Sequence, residues 1–99
     1  MLSHLVIFYT NPEVPNSTEA LIAGIEQYLR PIPLAISLHV GRMVPSERAV
    51  VDQSYQVGLN LVFADKAAEV AYQIHPLHLE FVDKAFKPNC LKAIVYDFA

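Results

Sequence analysis

The stretch AYQIHPLHLEF, residues 71–81, sets His75 and His78 three positions apart around Pro76, with Tyr72 three residues before His75. Residues at i and i+3 of a helix share a face, and imidazoles with an ordinary pKa of about 6.5 serve both metal ligation and proton transfer at neutral pH. HPLH therefore reads in three ways: a metal clamp, an acid–base pair or the corner between two helices. A zinc site takes three or four protein ligands. His4 and an acid such as Glu80 or Asp83 would have to complete it, so the metal reading ranks last and no metal is expected. Acid–base chemistry asks only for one histidine beside a tyrosine hydroxyl in a water-poor cavity. His78 as base would take an acidic proton flanked by two carbonyls, and Tyr72 would donate to the oxygen on which charge develops, with His4 as a neighbour. Under the corner reading His75 caps the turn that Pro76 opens, His78 bonds a loop carbonyl, and Tyr72 is a core aromatic whose hydroxyl reaches the surface.

Other candidates are weaker. Cys90 reads as a small buried residue, Glu80 and Lys84 as a solvated i, i+4 pair, His39 as an interface residue, and Tyr96 and Asp97 as strand-end polar groups at a surface or dimer edge. The three glycines, at 24, 41 and 58, offer no phosphate-cradling loop.

The elements that must hold these residues follow from hydrophobic periodicity. LSHLVIFYT reads as a strand that stops at NPEVPN. Asn16 with Glu19 predicts a capping box for a helix carrying Leu21, Ile22, Ile25, Tyr28 and Leu29 and ending near Arg30. Residues 35–43 alternate as a second strand, and SYQVGLNLVF as a third, with Tyr55, Val57, Leu59, Leu61 and Phe63 on one side. Asp65 predicts the cap of a helix through KAAEVAYQI, Pro76 opens a further helical segment to about Phe86, and LKAIVYDF is the last strand. The order β-α-β-β-α-β predicts a ferredoxin-like α+β fold, a four-stranded antiparallel sheet with its helices on one face.

At 99 residues the chain is expected to form a single domain, residues 1–99. Apolar residues make up 54% and charged residues 17%, below the roughly 25% usual in globular domains. A body this small cannot hide that much apolar surface. The first strand is apolar on both sides, so its helix-free side needs cover, and two sheets are expected to pack face to face in a homodimer, with Gln56 and Asn60 making polar contacts inside. The net charge of −3 and the lack of a Lys/Arg cluster argue against nucleic acid. No apolar run reaches the roughly 18 residues of a membrane span, and MLSHLVIFYT lacks the features of a signal peptide. A soluble, cytoplasmic protein with no membrane partner is expected, and the single Cys90 fits a reducing compartment.

HLVIFYT, GRMV, SYQVGLNLVFADKAAEVAYQIHPLHLEFV and IVYDF together resemble the stress-responsive A/B barrel (Dabb) family over essentially the whole chain. The pattern formed by Tyr72, His75, Pro76, His78 and Phe81 is the most specific part. The resemblance implies a dimeric α/β barrel of ferredoxin-like subunits. It also brings in polyketide cyclases, which close a linear poly-β-keto thioester by intramolecular aldol chemistry without a cofactor. It places their working tyrosine and histidine on Tyr72 and His78 and their first-strand histidine on His4. A strand-three histidine of such cyclases corresponds to Val57, and a glycine often found before Tyr55 is Ser54, which implies a more apolar pocket and a different substrate. The expectation is a pocket for a small carbonyl or polyketide-like molecule, with Tyr72 and His78 catalytic, His4, Val57, His75 and Phe81 binding substrate, and cofactor-free cyclase or lyase chemistry. The alternative is a non-enzymatic stress-response or structural dimer. A cofactor-independent monooxygenase, as in other dimeric α/β barrels, is singled out by nothing in the sequence.

Overall fold

Period-two alternation governs the sheet in the computed structural model, which describes residues 1–99. Along β1 (Leu2–Thr10), His4, Val6, Phe8 and Thr10 are buried while Ser3, Leu5, Ile7 and Tyr9 are half-buried. β2 (Ser37–Arg42) and β3 (Val57–Phe63) follow, and β4 (Cys90–Phe98) closes the sheet in the antiparallel order β2-β3-β1-β4. Val57, Leu59, Leu61 and Phe63 are buried on the helix side, as the alternation predicts, but Tyr55, expected with them, precedes β3 and lies near Ile7 and Gly58 on the other face, because the alternation begins only where β3 does.

The helices lie on that side. They are α1 (Ser17–Gly24), α2 (Lys66–Gln73), α3 (Pro76–Phe81) and the short α4 (Lys87–Asn89). A π-helical turn, Ile25–Leu29, continues α1, and a second one, Val82–Phe86, joins α3 to α4. Leu21, Ile25, Leu29, Tyr72, Phe81 and Ala85 pack from the helices onto the buried strand residues. The architecture is the ferredoxin-like α+β fold expected from the sequence.

Caps set the breaks between helices. Asp65 is extended, and its carboxylate accepts from the Ala68 N–H at 2.9 Å, opening α2. His75 repeats the device: its Nδ1 accepts from the Leu77 N–H at 3.1 Å, with Pro76 as the first helical residue. The capping box at Asn16 does not form. Asn16 adopts a left-handed backbone (φ 58°), whereas a capping side chain needs the extended region. Ser17 Oγ instead donates to the Asn11 carbonyl at 2.8 Å, and Glu19 pairs with Arg42 at 3.3 Å.

The molecule measures 36 × 31 × 17 Å, two layers thick at most. Only 19 of the 99 residues are buried, and on the helix-free face the sheet has no second layer, only Asp52 and Tyr55 of the loop before β3 beside Ile7, Tyr9, Ile94 and Tyr96. Asn60 lies on that face with a buried Oδ1 that makes no hydrogen bond. Gln56, expected beside it, is engaged within the subunit instead, its Oε1 accepting from the Thr10 N–H at 2.8 Å. No helix is long and apolar enough to cross a membrane.

Candidate functional site

A cavity of about 240 Å³ opens between the sheet and the helices, bounded by β1 and β4 below and by α2, α3 and the two π turns above. Ten of its thirteen lining residues are apolar, which leaves His4, Gln73 and His78 to carry polarity together with the Tyr72 hydroxyl. Each comes from a different local cause. His4 faces inward because β1 alternates, Tyr72 because α2 turns its buried stripe to the sheet, and His78 because the His75–Pro76 break re-aims the chain into α3.

Four of the residues singled out by sequence meet here: His4, Tyr72, His78 and Phe81. The Tyr72 and His78 rings stand edge to face with centroids 4.8 Å apart, and His4 lies 6.2 Å from Tyr72. Two others do not join them. Val57 is fully buried at the far end of β3, opposite Phe8 and Arg42, while the cavity meets β3 at Leu59. His75 is occupied as the α3 cap, which is the corner role for that residue.

The electrostatics divide the pair. Burial, and then the negative charge of Glu69, push the Tyr72 phenol far above its ordinary range, so it stays protonated and can only donate when neutral pH chemistry is done. Burial, with the neighbouring His4 adding to it and Glu69 opposing, holds His78 below its ordinary value. Neutral His78 keeps a lone pair, and its buried Nδ1 has no hydrogen-bond partner. A proton donor and a proton acceptor thus share one apolar wall.

Two acids belong to the site that the sequence reading did not place there. Asp97 is the cross-strand neighbour of His4, whose Nδ1 donates to Asp97 Oδ1 at 2.5 Å. Glu69 is fully buried, with Oε1 3.5 Å from the same Nδ1; Gln73 donates to Oε1, and the exposed Lys66 stands 3.1 Å from Oε2. A signal for Glu69 was present, since it sits three residues before Tyr72 and so shares its helix face. Elsewhere the plainer readings hold. Glu80 and Lys84 pair on the surface at 2.9 Å, and burial pushes the Cys90 thiol up to about 11, which leaves it protonated at neutral pH.

The family model for the stress responsive A/B barrel domain, Dabb, matches residues 2–99. No curated protein matches the chain by sequence. Among solved structures, a Dabb family protein with a ferredoxin-like fold from Mesorhizobium loti superposes with a TM-score of 0.78 at 23% identity, covering 99% of this chain and 94% of that one. A dimeric ferredoxin-like protein of unknown function from Thermobifida fusca gives 0.78 at 20% identity, with 99% and 89% covered. The hydroxynitrile lyase from Passiflora edulis gives 0.80 at 17% identity, with 98% and 90% covered. These likenesses establish a shared fold, and that fold is found with and without an assigned activity. Because the family model spans residues 2–99, the chain belongs to the stress-responsive A/B barrel (Dabb) family.

Proposed function

We propose that this protein is a cytoplasmic homodimer that binds a small carbonyl compound in the cavity and works on it by acid–base chemistry, as a lyase or cyclase. The observation that carries the reading is the meeting of Tyr72 and His78, ring edge to ring face at 4.8 Å, in one apolar cavity, the phenol held protonated and the imidazole held below its ordinary pKa. His78 takes a proton from a carbon flanked by carbonyls, and Tyr72 donates a hydrogen bond to the enolate oxygen that results. His4 lies beside both and orients the substrate, and Phe81 supplies apolar contact. The chemistry asks for no redox group. At about 240 Å³ the cavity is below the roughly 300 Å³ at which pockets for drug-sized ligands begin. That size favours a compact substrate over a long polyketide chain.

The test uses small β-diketones and β-keto thioesters as probes, following binding by ligand-observed NMR and deuterium exchange at the carbon between the carbonyls. The wild-type protein is expected to bind a probe and accelerate the exchange. His78→Ala is expected to stay folded and lose the acceleration, and Tyr72→Phe to slow it by about a hundredfold. If His78→Ala lowers only the melting temperature and leaves binding and exchange intact, the histidine is a structural part of the helix corner and the proposal fails.

A further inference from the structure

We infer that His4, Glu69 and Asp97 form a binding site for one divalent ion of the zinc class beside the cavity, which only His4 of the three lines. The site takes one donor atom from each of three elements, β1, α2 and β4, and these atoms all lie within 4.8 Å of one another. His4 Nδ1 stands 2.5 Å from Asp97 Oδ1 and 3.5 Å from Glu69 Oε1. One N–H serves only one of the two carboxylates, and the second distance exceeds the roughly 2.7–3.2 Å of an N–H···O bond, so the only hydrogen bond to Glu69 Oε1 is from the Gln73 amide. Ligand bonds of about 2.0–2.2 Å set tetrahedrally hold donor atoms about 3.4 Å apart. The His4–Glu69 spacing already suits a shared ion. Asp97, partly exposed near the end of an edge strand, has to retreat by about 1 Å to join it.

The burial of Glu69 points the same way. Its side chain has no solvent exposure, and Oε2 makes no hydrogen bond although the Lys66 ammonium lies 3.1 Å away as an ion pair. Two carboxylates against one lysine leave negative charge beside an otherwise apolar cavity, an arrangement that a divalent ion offsets. One imidazole nitrogen with two carboxylate oxygens and no thiolate suits zinc, manganese, iron(II) or cobalt(II); calcium takes six to eight oxygens, and copper(I) prefers sulfur. A proton on Nε2 leaves the Nδ1 lone pair for the ion. Three protein ligands leave a further position for water or another small ligand. The rival arrangement is an ion-free one, in which His4 Nδ1 simply hydrogen-bonds Asp97.

Untagged full-length protein, stripped with a chelator, decides between them by calorimetric titration with zinc chloride and by the visible absorption of added cobalt(II). A single ion per chain is expected at micromolar concentration, with the cobalt spectrum of a low-symmetry site. Asp97→Asn, a surface change of equal size, and Glu69→Gln are each expected to weaken binding by roughly tenfold or more with unchanged circular dichroism. No uptake by the wild-type protein leaves the ion-free hydrogen bond and overturns the site, as does uptake that neither substitution affects. The readout is ion binding, so the inference stands or falls separately from any turnover of a carbonyl compound.

Discussion

His78 is held in the state a base requires. Its ring is half-buried on α3, and burial keeps its pKa below the ordinary value of about 6.5. Between that folded value and about 6.5 the unfolded chain takes up a proton that the folded chain refuses, so folding stability rises with pH across this window. The stability is complete above about pH 6.5 and is lost as pH falls toward the folded value. An NMR titration of the His78 ring is expected to give a midpoint below about 6.5, and His78→Gln to flatten the acid decline in stability; a midpoint at or above the ordinary value would refute the assignment. Tyr72, His78 and His4 were singled out by the HPLH spacing and by the family resemblance, and they meet at the cavity. The acids beside them were less legible. Asp97 reaches His4 only through the β1–β4 register, which joins residues 93 positions apart, and no local pattern announces such a pairing. Glu69 carries a charge, and a charge in an amphipathic helix is ordinarily assigned to the solvated face.

At the scale of elements, the caps at Asp65 and His75 were readable, whereas the start of α1 and the π turns were not. Asp65 and the His75–Pro76 pair declare helix starts by residue type, whereas a π turn adds one residue per turn without changing composition or capping chemistry. Both π turns matter to the site, since Leu29, Val82 and Phe86 wall the cavity from within them. Their helices meet at Gly24, where a methyl group would lie 2.3 Å from the Ala85 methyl carbon. Gly24 has ordinary helical angles (φ −65°), so the glycine serves close approach and not an unusual backbone. Helix propensity alone would make Gly24→Ala stabilising by about 1 kcal/mol. Overpacking costs about 1–3 kcal/mol and should win, because contacts under 3.0 Å essentially never occur and both partners are buried next to backbone. Urea denaturation is expected to show Gly24→Ala less stable than wild type and the double variant Gly24→Ala/Ala85→Gly largely restored. A more stable single variant would mean that the two helices can part at no cost.

At the scale of the whole molecule the decisive feature is the sheet face that no helix covers. Alternation in β1 made it visible in the sequence, because a strand apolar on both sides in a two-layer fold has one side unpaid for. Leu5, Ile7 and Tyr9 stay half-buried although β1 is a central strand, and Tyr96 and Phe98 are 55% and 59% exposed on the same face. The unpartnered Asn60 Oδ1 sits among them. A second sheet packed about 10 Å away would cover these residues and bring Asn60 a donor, and stable interfaces of this kind bury about 800 Å² per partner. Sedimentation is therefore expected to find a dimer at micromolar concentration. Ile7→Lys places an ammonium on the apolar contact face, beside a hollow whose one acid, Asp52, is already bonded to Ser54; a penalty of about 3 kcal/mol weakens the dimer more than a hundredfold. The variant should sediment as a monomer with an unchanged circular dichroism spectrum, since Ile7 points away from the helix-covered core. A wild-type monomer at that concentration, or an Ile7→Lys variant that remains dimeric, would show that this face is covered by something other than a second copy of the chain.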